Sequence, residues 1–308
     1  MMTTPWRPEG WTPNPAETEK FVASLRYPTL SDGGPNLTAM EDLDVFLYQY
    51  LLGVCPTYRR VAQAIGSCVG HAYAGCSDIL ACTEIAVHGE AEDWHGRTLE
   101  ASVYAFSRVE SRGKKRAGLS DGSYGAAACK AIMNWGLLHY DVDYNGQVFK
   151  EYSGVREKQW GDTGVPDELE PFAKQRRVRE TSLVRNFDEY CRAIASGFPV
   201  AICSNVGFTF SRDSEGFCKP RGQWLHAMAG IAKRHGKRPG GLVWNSWGNN
   251  SNSGPHYPED MPVPFRGSTF WCDSDVLDRM LGQGDSFAIS NYDGFPPRKL
   301  PNWTGGVL

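Results

Sequence analysis

The chain has 308 residues, 41% of them hydrophobic and 22% charged, and a formal net charge of −3. That length and apolar content are enough for a sizeable core. The near-neutral balance gives no electrostatic footprint for nucleic acid, and no apolar stretch approaches the length of a membrane span.

The N-terminal segment Met1-Met-Thr-Thr-Pro-Trp6 lacks the basic start and apolar run of a secretory signal, so a cytoplasmic chain is expected. Residues 1–57 read as an arm rich in Pro, Gly, Thr and Asn, of the kind that docks onto a partner or a second copy. Two helices are predicted in it, one over Pro15 to Leu25 and one over Met40 to Leu52. The second has a broad apolar face of Val45, Phe46, Tyr48, Leu51 and Leu52. Ser67 is placed to cap a long helix from Cys68 to about Val87, on which Val69, Ala72, Tyr73, Cys76, Leu80 and Thr83 share a face. Gly70, Ala72, Ala74 and Gly75 allow close packing around that helix.

The basic run Gly113-Lys-Lys-Arg116 reads as a solvated loop, without the stacking aromatics that single-stranded nucleic acid requires. From Asp121 the chain turns through Gly122 and Gly125 into a helix ending near Trp135, where Gly136 supplies the stop. Residues Asp141 to Glu180 are charged and irregular and read as a solvated excursion. Phe187 to Ser196 is a short helix closed by Gly197. Strands follow at Val200–Ser204, Ala227–Ile231, Gly241–Asn245 and Ser286–Ser290, with a helix at Ser274–Leu281. The tail 294–308 is peripheral. The nine cysteines are odd in number, irregularly spaced and without any Cys-x-x-Cys, so they read as reduced core residues; no metal and no cofactor is expected.

Three segments together carry chemistry: Gln63-Ala-Ile-Gly-Ser-Cys68, Leu225-His226-Ala227 and Asn245-Ser-Trp-Gly248. A thiol attacks as the thiolate, so Cys68 needs an imidazole to take its proton and a helix N-terminus to favour the charge. His226 is the candidate base. An amide oxygen at Asn245 fixes its tautomer, and the Trp247 indole keeps water off that bond. The turn Arg234 to Gly241 joins the strands bearing His226 and Asn245, and an antiparallel pairing brings the two side chains together. His235 and His256 fall on loops.

The order Cys, His, Asn-Ser-Trp-Gly resembles the papain-like cysteine peptidases, over roughly residues 58–293. The resemblance implies an α+β fold of two lobes, a helical lobe at about 58–140 and an antiparallel β-rich lobe at about 185–293, with the active cleft between them. It also implies that Asp121-Gly-Ser-Tyr-Gly125 lines the cleft, with Gly122, Ser123 and Tyr124 binding substrate, and that Gln63 serves the oxyanion hole although it stands one residue nearer the cysteine than is usual. Val69 replaces the family's tryptophan after the nucleophile, and Ile65 stands where many secreted members carry a disulfide cysteine. The arm is too short and too proline-rich to resemble that family's helical inhibitory proregion, so the sequence gives no indication of zymogen control. The implied activity is hydrolysis of peptide bonds in a peptide or protein substrate through a thioester, with neither nucleic acid nor membrane as partner. Related acyl transfers on the same constellation stay open: deamidation, deubiquitination and transglutamination. So does a papain-fold assembly component, because Ser-Arg-Val-Glu110 and the Phe270-Trp ending resemble papain-like proteins of phages and environmental bacteria. That alternative would place the chain in an infected host cell or a virion.

Overall fold

The computed structural model describes residues 8–39, 43–88, 93–113, 115–298 and 300. Its helices are α1 (Pro15–Ser24), α2 (Leu30–Gly33), α3 (Tyr48–Val54), α4 (Cys68–His88), α5 (Glu100–Arg108), α6 (Gly125–Asn134), α7 (Gly154–Thr163), α8 (Glu170–Ala173), α9 (Phe187–Ala195), α10 (Val263–Arg266) and α11 (Ser274–Leu281). The strands are β1 (Val45–Phe46), β2 (Asp143–Tyr144), β3 (Gln147–Val148), β4 (Glu180–Leu183), β5 (Val200–Phe208), β6 (Pro220–Arg234), β7 (Gly240–Trp244), β8 (Thr269–Asp273) and β9 (Phe287–Ser290).

Seven strands form one antiparallel sheet in the order β4-β9-β5-β6-β7-β8, with β1 added alongside β6. This is the expected α+β arrangement. Sequence patterning located the first five residues of β5 and an inner stretch of β6 but not their full extent. β6 continues six residues before His226, through positions that are exposed apart from Trp224. α4 is buried on every side over its first thirteen residues, as a central helix lined with small residues should be.

Two segments differ from the reading above. The stretch expected as one helix to Leu52 divides: Val45 and Phe46 pair with Lys233 and Ala232 of β6, and helix begins only at Tyr48. Residues 40–42 lie outside the described residues. The excursion after Asp141 is structured, with a β2–β3 hairpin, α7 and α8. Its sparse apolar residues Tyr144, Phe149, Trp160, Val165 and Leu169 bury against Leu99, Phe106 and Leu138 in a second hydrophobic cluster. Charged residues dilute the periodicity there, while a few aromatics supply most of the buried area. Helix α5, buried throughout, also went unread in the sequence.

Candidate active site

β6 and β7 pair antiparallel through Ala229 opposite Trp244, which carries His226 and Asn245 to the same end of the sheet. There the His226 Nε2 lies 2.9 Å from Asn245 Oδ1. An amide oxygen can only accept, so Nε2 carries the hydrogen and Nδ1 presents its lone pair. The Trp247 backbone N–H donates to the same Oδ1 at 3.3 Å, which fixes the amide orientation independently. His226 Nδ1 is buried with no hydrogen-bond partner among the described residues. The Trp247 ring stacks on the imidazole, centroids 4.2 Å apart at 28°, and covers the bond from water.

Cys68 is the first residue of α4, and the His71 N–H donates to the Ser67 carbonyl to close the first turn. Ser67 does not cap with its side chain; the hydroxyl turns back to the Ile65 carbonyl. The backbone N–H groups of Ala227, Gly10 and Val69 lie near enough to the thiol to favour its ionised form, and Ala227 is the residue that follows His226. Burial pushes the Cys68 thiol up to about 12, those N–H groups oppose the shift and the Glu9 carboxylate adds to it. Burial likewise pushes the His226 imidazole down to about 3, with the Asn245 bond opposing and the nearby Arg60 guanidinium adding. In this closed state both groups are neutral.

What closes the site is the N-terminal arm. The Gly10 and Trp11 N–H groups both donate to the Leu225 carbonyl at 3.0 Å, the Thr12 N–H donates to the Ser123 carbonyl at 2.7 Å, and the Ser123 N–H donates to the Gly10 carbonyl at 2.8 Å. The Leu225 N–H goes to the Glu9 carboxylate at 2.8 Å. Segment 8–12 therefore lies as an extra strand between the Ser123 wall and the His226 strand. Its fit depends on glycine on both sides. A Cβ on Gly10 would meet the Gly66 oxygen at 2.0 Å, and one on Gly66 would meet the Glu9 oxygen at 2.5 Å. Gly122 adopts φ +120° with Thr12 packed where its side chain would stand.

Gln63 reaches the site as well. Its Nε2 donates to the Pro8 carbonyl at 2.9 Å and to the Ile65 carbonyl at 2.8 Å, and its Oε1 accepts from the Ser246 hydroxyl. The Trp247 Nε1 donates to the same Pro8 oxygen at 2.9 Å, so two N–H donors converge on one carbonyl brought into the cleft. Of the expected substrate-binding residues, Ser123 faces the cleft through its backbone. Gly122 is committed inward, its N–H to the Tyr104 hydroxyl and its carbonyl to Arg108. Tyr124 is buried with the Arg112 guanidinium 4.6 Å from its ring.

Sequence reasoning missed several participants. Trp224 stands edge-on to Trp247 at 4.7 Å, and its i, i+2 relation to His226 on one strand was a readable signal. The loop 63–67 is held by a relay that runs from an exposed bond at Ala64 to a buried pair at Glu157 and His71. The Ala64 N–H donates to the Tyr152 hydroxyl at 2.8 Å, Tyr152 donates to Glu157 at 2.5 Å, and the other Glu157 oxygen is 3.2 Å from His71 Nε2. Nothing in the spacing from 64 to 157 announces that contact. All nine cysteines are free, and among the described residues no three His, Cys, Asp or Glu side chains gather as metal ligands do. No described helix is long and apolar enough to cross a membrane.

No protein-family model matches this sequence, and no curated protein matches it either. Solved structures do. Xylellain, a cysteine protease from Xylella fastidiosa, superposes with a TM-score of 0.56 at 15% identity, over 94% of this chain and 100% of its own. Digestive procathepsin L 3 from the larval midgut of Tenebrio molitor gives 0.50 at 12% identity, over 89% of this chain and 79% of its own. The fold is that of the papain-like cysteine proteases.

Proposed function

We propose that the chain is a cysteine peptidase that hydrolyses peptide bonds through Cys68, His226 and Asn245, and that residues 8–12 must leave the cleft before substrate enters. The observation that carries this reading is the His226 Nε2–H bond to Asn245, which leaves the Nδ1 lone pair open, with the next residue's N–H near enough to favour the Cys68 thiolate. In the reaction His226 Nδ1 takes the thiol proton as Cys68 Sγ adds to the amide carbonyl carbon. The imidazolium then protonates the departing amine as the C–N bond breaks. Water, deprotonated by the same nitrogen, adds to the thioester, and the sulfur leaves and recovers the proton. Gln63 Nε2 and the Cys68 N–H at the start of α4 receive the oxyanion, each such donor lowering the barrier by about 3 kcal/mol. The Pro8 carbonyl, bound by Gln63 and Trp247, stands in for a substrate carbonyl.

The test is labelling of the full chain carrying Gly10→Val, which displaces the arm from the cleft, with a papain-type epoxysuccinyl probe, located by peptide mass spectrometry. Alkylation confined to Cys68, falling about a hundredfold or more in His226→Ala, is the expected result. Slow alkylation spread over several cysteines and indifferent to His226 would sink the reading and favour an assembly role.

A further inference from the structure

A buried cation lies between the helix of the nucleophile and the strand of the orienting amide. Arg60, 7% exposed, donates from Nη2 to the His71 carbonyl at 2.9 Å and from Nη1 to the Trp244 carbonyl at 3.3 Å. His71 stands in the first turn of α4, three residues after Cys68, and Trp244 ends β7 immediately before Asn245. The guanidinium carbon is 4.2 Å from the centre of the Trp244 ring. Gly75 of α4 leaves room for both, since a Cβ there would meet Arg60 Nη1 at 3.3 Å and the Trp244 ring at 3.5 Å. Three residues after Arg60, the Gln63 N–H donates to the Ser246 carbonyl at 2.8 Å, so segment 60–63 runs along 244–246.

Among the described residues no carboxylate stands at ion-pair distance from Arg60. Tyr58, Cys76, Glu100 and Asp78 act on it only through space. Asp78 is committed to the Thr98 N–H and hydroxyl and to the Tyr58 hydroxyl, and Glu100 to the Tyr140 hydroxyl and the Arg97 guanidinium. A guanidinium does not shed its proton, so two carbonyls and a ring face must compensate a full charge. That charge disfavours the His226 imidazolium. The other groups that act on the reacting pair are Asn245 and the His71 ring on His226, with His71 itself 3.2 Å from Glu157, and Glu9 on Cys68, which leaves with the arm.

Building on the peptidase reading, we propose that Arg60 is a positioning residue: it locks the helix of Cys68 to the strand end of Asn245, and its charge sharpens the His226 imidazolium as the acid that protonates the departing amine. A planar fork suits both tasks, whereas a single ammonium does not bond two carbonyls in fixed geometry while lying on an indole.

Charge and position separate in the full chain opened by Gly10→Val, with Arg60→Met or Arg60→Lys added. An epoxysuccinyl diamide, uncharged so that Arg60 does not attract it, is timed on Cys68 across the pH range. Ring opening needs the thiolate and an imidazolium that protonates the epoxide oxygen, so the rate is bell-shaped and its alkaline limb reports the His226 proton. Asp78, pushed up to about 6 by burial, is ionised throughout that limb. Without the cation the imidazolium holds its proton longer, and in Arg60→Met the alkaline limb is expected to move up by about half a pH unit or more. Arg60→Lys is expected to leave the limb in place, while both variants lower the maximum rate about tenfold as helix and strand lose their shared clamp. Loosening alone moves the limb the other way, because a thiolate held farther off supports the imidazolium less. An alkaline limb unmoved or lowered in Arg60→Met, one raised equally in Arg60→Lys, or a maximum unchanged in both variants overturns the proposal. Should Arg60→Met lose its native circular dichroism, Arg60→Lys decides through its maximum: a lowered one on an unshifted limb supports the proposal and an unchanged one overturns it. Failure of the peptidase reading looks different, since the opened chain with Arg60 intact then gives no bell, only the steady climb of an ordinary thiol.

Discussion

The two groups that the proposed reaction asks to exchange a proton are both neutral while the arm is in place. With the Cys68 thiol near 12 and the His226 imidazole near 3, the thiol keeps its proton and the imidazole stays neutral across the ordinary range. Both shifts arise first from burial, so water entering the cleft moves them back toward each other. Below its pKa a thiol's ionised fraction grows tenfold per pH unit. Probe labelling of the intact chain is therefore expected to climb through pH 9 without a plateau, whereas a chain with its arm displaced levels off at lower pH as an imidazolium comes to support the thiolate. A plateau near neutrality in the intact chain would contradict the closed state. Asn245→Ala is expected to slow labelling in the opened chain by about tenfold, the worth of one orienting hydrogen bond. These residues were the most legible part of the sequence, because each has a chemical requirement that only a few residue types meet. Arg60 was not legible, since its part lies in contacts to His71 and to Trp244, the second remote along the chain.

At the scale of elements, what the sequence disclosed depended on how periodic each one is. α11 matched to the residue and α4 within one, because their apolar residues recur at helical spacing. The segment from Asp141 failed because Trp160 and Phe149 pack as an edge-on pair, 5.4 Å apart, amid charged neighbours that mask the pattern. That segment also sends Tyr152 and Glu157 under the loop that carries Gln63. Tyr152→Phe removes the acceptor for the Ala64 N–H and the donor to Glu157 together. Labelling of Cys68 in the opened chain is expected to slow by roughly threefold to tenfold, matching about one lost hydrogen bond, with unchanged circular dichroism. An unchanged rate would show that the loop holds its position without the relay. The apolar side of the segment is testable by Trp160→Ala. This substitution empties a buried site in the second hydrophobic cluster and is expected to cost about 3–5 kcal/mol in urea unfolding, where a surface aromatic would cost well under 1.

Across the molecule, the arm from Pro8 onward is tied to both sides of the cleft. It bonds Ser123 ahead of α6, Leu225 on β6 and Asp285 between α11 and β9, so a single strand bridges the helical side and the sheet. Composition read this segment as an arm for a partner or a second copy and gave no sense that its part from Pro8 onward lies in this chain's own cleft, because backbone-to-backbone pairing leaves little mark on residue type. The mark it does leave is glycine at positions 10 and 66, where the two backbones meet too closely for any Cβ. Gly10→Val should therefore act twice and in opposite directions. Loss of the pairing frees the cleft, and labelling of Cys68 is expected to accelerate at least tenfold, as hydration restores the thiolate. The same loss removes several hydrogen bonds worth about 1 kcal/mol each, so the thermal midpoint is expected to fall by about 5 °C or more. Faster labelling together with lower stability identifies the arm as the gate. Lower stability with unchanged labelling would mean that the arm braces the lobes while something else limits the thiol.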